Sequence, residues 1–73
     1  MHKSILLTKL SSIRLSAEEG EHRIAGQKRI IAFLKERGAN PALSLSLLAR
    51  CEAAQNRLLV EMNIVLNELD DVA

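Results

Sequence analysis

The chain has 73 residues, ten basic and nine acidic, for a net charge of +1, which argues against any strong global electrostatic function. Its single cysteine, Cys51, excludes an internal disulfide, and neither His2 nor His22 has cysteines or acids at zinc-ligand spacing around it. A chain this short buries a modest share of its surface, so with those staples excluded the stabilising route left is association.

In chain order, Met1-His2-Lys3-Ser4-Ile5-Leu6-Leu7 starts basic, but its apolar run ends after three residues, too short for a signal-peptide core. No apolar run approaches the about 18 residues of a membrane span. The expected location is therefore cytoplasmic. The lysine, arginine and serine content of residues 1–16 also fits a transit peptide, but the same residues continue a helical ladder.

That ladder reads Leu10, Ile13, Ala17, Gly20, Ile24, Gln27, Ile31, Leu34, in steps of three and four, the spacing of a coiled-coil seam. It predicts a first helix over about residues 4–37, with Leu6 on the same seam. A later start at 17 is the alternative, since Ser16-Ala17-Glu18-Glu19 matches a capping box, as is a break near Ser11-Ser12. Gly20 and Gly26 each cost a helix about 1 kcal/mol relative to alanine, so packing must hold this one.

Gly38-Ala39-Asn40-Pro41 is the only strong punctuation. Glycine just past a helix end accepts the left-handed conformation that closes a helix, and Lys35 and Arg37 before it suit a C-terminus. Asn40 is a good N-cap and Pro41 fits the first helical position. The turn is thus residues 38–40, and the second helix runs over about 41–70. Its own ladder is Leu48, Cys51, Gln55, Leu58, Met62, Val65, Leu69, Val72.

Paired from the middle outward, the ladders match so that every pair of residue numbers sums to 82, from Leu34 with Leu48 to Leu10 with Val72. The predicted fold is all-α, one domain over 1–73, an antiparallel two-helix hairpin of coiled-coil type. This register sets Gln27 opposite Gln55, a polar pair able to satisfy each other's amides and to fix alignment at some cost in stability. It sets Cys51 opposite Ile31 as a small buried hydrophobe. It also lays the acid-free residues 1–17, with Lys3, Lys9 and Arg14, beside the base-free residues 58–73, with Glu61, Glu68, Asp70 and Asp71.

A bare hairpin has one mutual face, and several large apolar residues fall outside it. Leu45, Leu59 and Leu66 lie on one flank of helix 2, continuous with Gln55 and Met62; Leu47 lies on the other flank, Leu43 and Ile64 lie further out, and helix 1 adds Ile30 and Phe33. Burying one leucine is worth roughly 1.5–3 kcal/mol, so such a band marks an interface. The expected assembly is two hairpins packed as a four-helix bundle, with Ile30, Phe33, Leu45, Leu59, Met62 and Leu66 as interface candidates.

Nothing in the chain has the makings of an active site. There is no nucleophile–base pair, no metal set and no phosphate-cradling glycine loop, so neither catalysis nor a cofactor is expected. Arg23, Lys28, Arg29, Lys35 and Arg37 form a basic cluster, but Phe33 is the only aromatic available to stack on a base.

The stretch Glu19-Gly20-Glu21-His22-Arg23-Ile24-Ala25-Gly26-Gln27, followed by Ile30-Ile31, Leu34 and Gly38, resembles a pattern in short bacterial helical-hairpin proteins with no known activity. Leu47-Leu48, Glu52, Leu58-Leu59 and Glu61 resemble its second part, and Asn40-Pro41 departs from it, where an acidic residue and threonine are more usual. The resemblance covers about residues 19–61 and implies a bacterial, cytoplasmic, non-enzymatic hairpin.

The expected function is a small interaction module that self-associates or binds a partner helix, as an adaptor or small chaperone does. The alternatives are a nucleic-acid-associated protein using the basic face of helix 1, and a peripheral membrane binder using residues 3–15 as a basic amphipathic helix.

Overall fold

The structure, a computed structural model, describes residues 2–72. Two helices make it up, α1 over His2–Glu36 and α2 over Ala42–Val72, packed side by side along their length in a rod of 55 × 14 × 13 Å. Helix α1 runs unbroken through Ser11-Ser12 and Ser16, so the Ser16–Glu19 capping box lies mid-helix and caps nothing. Near its start, the Thr8 hydroxyl donates to the Ser4 carbonyl at 3.1 Å, which quiets a polar side chain without interrupting the helix.

The turn follows from its four residues. Gly38 sits at φ 69°, its N–H donates to the Lys35 carbonyl at 3.1 Å, and the Ala39 N–H donates to the Leu34 carbonyl at 2.9 Å. This is the paired closure of a Schellman motif, and a side chain at the glycine would strain it. Two residues later Asn40 Oδ1 accepts from the Ala42 N–H at 3.0 Å, and Leu45 N–H reaches the Pro41 carbonyl at 2.9 Å. Asn40 is therefore the N-cap and Pro41 the first helical residue, as their chemistry predicts.

Both ladders face inward. Leu10, Ile13, Ala17, Ile31, Gln55 and Val65 are buried, the other ladder residues are half-buried, and only Val72 is exposed. The register, however, is not the one that pairs the glutamines. Gln55 lies against Gly20 and Ala17, and Lys9 bridges to Glu61 at 3.9 Å. Leu10 and Val65 share one cluster. Gly20 with Gln55 and Leu10 with Val65 each sum to 75, one heptad short of 82.

The physical reason is the tight turn. A Schellman closure at Gly38 followed directly by an N-cap at Asn40 leaves no slack, so α2 starts pairing at once. In the 82 register residues 42–45 would project past the end of α1 at Glu36 with nothing to pack against. Counted outward from Gly20 and Gln55, Ile31 falls opposite Ser44 and Leu6 opposite Leu69. Leu6 and Ser44 are accordingly buried, and Val72 is left beyond the end of the core. Cys51 consequently lies opposite Ile24, not Ile31, and is half-buried.

The best-packed part is remote from the turn. Leu6, Leu10, Ile13 and Val65 form the buried cluster, with Leu58, Met62 and Leu69 against it. Val65 is 1% exposed. Leu10→Ala should therefore cost about 2–5 kcal/mol in urea melts. His22→Ala, at an exposed site, should change stability by less than about 0.5 kcal/mol.

Candidate functional site

Two places on the rod differ from an ordinary coiled-coil surface: the polar middle of the seam, and the apolar residues outside it. In an α-helix the carbonyl of residue i lies beside the side chains of i+3 and i+4. Gly20 has no side chain, so the Ala17 carbonyl is uncovered toward α2. Gln55 uses the opening, and its Nε2 donates to the Ala17 oxygen at 2.9 Å. Gln55 is 9% exposed, and its Oε1 presses on Gly20 where a β-carbon would stand. Beside it lies a half-open groove of about 250 Å³ between Ser16, Arg23, Arg50 and Cys51.

Gln27 and Gln55 do not pair. Gln27 lies seven residues beyond Gly20, about 10 Å along the helix axis. The Oε1 atoms of both glutamines are buried with no hydrogen-bond partner. The seam thus carries two separate polar defects, only one of them half-relieved by a backbone carbonyl. Burial without a partner is costly, so these two oxygens weaken this stretch of the core.

The interface candidates separate into three groups. Met62 packs, partly buried, against the Leu6–Leu10–Ile13–Val65 cluster. With Gln55 it faces α1, so the two do not belong to the outer flank on which Leu45, Leu59 and Leu66 lie. Those three leucines are 45%, 45% and 40% exposed and recur at one heptad position of α2. Ile30 and Phe33 are also exposed, but on the other side of the hairpin. The Lys9–Glu61 bridge defines that side, since Ile30 and Leu47 occupy the same heptad positions as its two partners. Ile30, Phe33, Leu43 and Leu47 therefore form a second apolar patch near the turn. The spacing already separates Leu45, Leu59 and Leu66 from Leu47, and the Lys9–Glu61 bridge adds which residues of α1 lie on Leu47's side.

Charged groups are dispersed. Lys9–Glu61, at 3.9 Å between exposed side chains, and Glu19–Arg23, at 3.7 Å and i,i+4 on α1, are surface pairs of small energetic weight. Arg37, just past the end of α1, lies over the Phe33 ring at 4.3 Å, so one face of the only aromatic is occupied by a cation four residues away in the chain. Among the described residues no three His, Cys, Asp or Glu side chains converge to hold a metal ion. No described helix is long and apolar enough to cross a membrane.

The two helical glycines give a sharp test. Gly26 has open space where a β-carbon would go, so Gly26→Ala should stabilise by about 0.5–1 kcal/mol through helix propensity. Gly20→Ala would displace the Gln55 amide from the Ala17 carbonyl and should fall short of Gly26→Ala by about 1–3 kcal/mol in denaturant melts. The glutamines give another. Gln27→Leu removes an unpartnered buried oxygen and should stabilise, and Gln27→Leu with Gln55→Leu should be additive within about 0.3–0.5 kcal/mol in a double-mutant cycle.

Comparison with protein-family models, with curated proteins and with solved structures finds no match for the chain, so no relative's activity carries over to these residues.

Proposed function

We propose that this protein is a small non-catalytic interaction module, a helical hairpin that works by covering its outer α2 flank with another helix. The observation that carries this reading is the stripe of Leu45, Leu59 and Leu66, three large apolar side chains at one heptad position, all exposed. Leucine placed repeatedly at one position outside the seam is the pattern of a helix-in-groove or helix-on-helix contact, and not of scattered surface residues. The elongated shape supports it. The chain exposes 5558 Å², against ~4,500 Å² for a compact monomer of this mass. Cytoplasmic location belongs to the same reading.

The competing readings have weaker footing. A membrane-binding helix over residues 3–15 would need its apolar face free, but Leu6, Leu10 and Ile13 are packed against α2. A nucleic-acid surface on α1 would have to stack bases on Phe33, which Arg37 already covers on one face.

The purified protein should be helical and a dimer or larger at micromolar concentration by sedimentation equilibrium. Leu59→Lys/Leu66→Lys should sediment as a monomer with unchanged helical circular dichroism, because both positions lie outside the hairpin's own core. A wild-type chain that stays a folded monomer across that range would remove self-association and leave only a partner helix of another protein.

A further inference from the structure

We propose that the α2 flank is covered by a second copy of this chain lying antiparallel to the first, with the twofold axis passing near Asn56. The inference rests on the reading of that flank as an interaction surface and adds what occupies it and in which direction.

Three observations lead there. The first is area. The rod exposes roughly 1,000 Å² more than a compact chain of its mass, and a stable complex buries about 800 Å² on each partner. Two rods side by side recover that surplus, whereas a short peptide covers only part of a stripe that runs about 30 Å from Leu45 to Leu66.

The second is charge. Residues 28–47, the part of the rod next to the turn, carry Lys28, Arg29, Lys35 and Arg37 against Glu36 alone. The remainder carries six bases and eight acids, with Glu61, Glu68, Asp70 and Asp71 concentrated toward the end of α2. A parallel pair of rods would set basic end on basic end. An antiparallel pair sets each basic turn beside the other end of its mate, where Glu61, Glu68, Asp70 and Asp71 outnumber Lys3, Lys9 and Arg14 by one. The same argument disfavours self-pairing through Ile30, Phe33, Leu43 and Leu47, because a twofold axis there brings both basic turns together.

The third is the pattern along the flank. In steps of four and three it reads Leu45, Ala49, Glu52, Asn56, Leu59, Asn63, Leu66, all exposed. Its midpoint is at Asn56. Reversing one copy about that point brings Leu45 of each protomer near Leu66 of the other, so both ends of the contact are apolar. At the centre Asn56 of each copy faces Asn56 of the other, and the two amides can donate to each other. Between the ends and the centre, Ala49 falls opposite Asn63 and Glu52 opposite Leu59. A closed, self-complementary contact of this kind stops at two copies.

Intermolecular distances between spin labels decide the arrangement. Cys51→Ala removes the natural thiol, and one new cysteine is introduced at a time, Asn56→Cys or Ser46→Cys, both at exposed sites where folding is checked by circular dichroism. The antiparallel dimer gives a short label–label distance at 56. At 46, ten residues from the axis, it gives a distance longer by about 30 Å. Short distances at both positions mean a parallel dimer and overturn the proposal. A long distance at 56 in a chain that still sediments as a dimer also overturns it, placing the contact elsewhere while leaving self-association intact. Monomeric labelled chains with no intermolecular signal overturn the second copy as the occupant.

Discussion

The amide of Gln55 donating to the carbonyl of Ala17 is the contact that fixes how the two helices align. A coiled-coil seam of leucines and isoleucines tolerates slippage by whole heptads, because each shift presents similar apolar pairs. A buried polar side chain does not, since it must find its partner or bear the desolvation cost. Here the partner is a backbone oxygen, reachable only because Gly20 leaves it uncovered. Moving α2 by one heptad would carry Gln55 away from that opening. The placement of Leu10 on Val65, the burial of Ser44 and the exposure of Val72 all follow from this one alignment together with the tight turn.

The glycine at position 20 therefore has a different role from the glycine at 38. Gly38 is needed for its own backbone, which sits at φ 69°. Gly20 is in ordinary helical conformation, and its value lies in what another helix can reach through it. Gly26 has neither reason, since nothing lies near its missing side chain. Three glycines in one short chain thus divide into a turn former, a window and a plain helix weakener.

Much of the hairpin was legible from residue type and spacing. The ladders picked out the inward faces, with Val72 the one member left exposed, and Gly38, Asn40 and Pro41 gave the turn at atomic detail because their roles are local. Register was not legible. A seven-residue repeat is unchanged by a seven-residue shift, so periodicity alone cannot distinguish sums of 75 and 82, and the apparent pairing of two glutamines pointed to the wrong one. The deciding signal was present in the sequence as the tightness of Gly38-Ala39-Asn40-Pro41 and as Gly20 on the seam, but it is a three-dimensional signal. The division of the α2 leucines between two flanks was legible as well, because a heptad shift does not change it; that Ile30 and Phe33 lie on the Leu47 side comes from Lys9 meeting Glu61. Met62, a seam residue that borders the leucine stripe, packs against the cluster around Val65.

The position of the best-packed cluster sets the order in which the hairpin assembles. Hairpins with strong contacts beside the turn close like a zipper from that end, each step local. In this chain the residues next to the turn include Ser44, and the seam's middle holds the unpartnered oxygens of Gln27 and Gln55. The buried apolar cluster joins Leu10 to Val65 across 55 residues of chain. Closing a loop of that length costs about 3.5 kcal/mol from its length dependence alone before any contact repays it. A helical protein with such remote contacts should fold more slowly than its helix content suggests, because its nucleus must form at the open end of the rod.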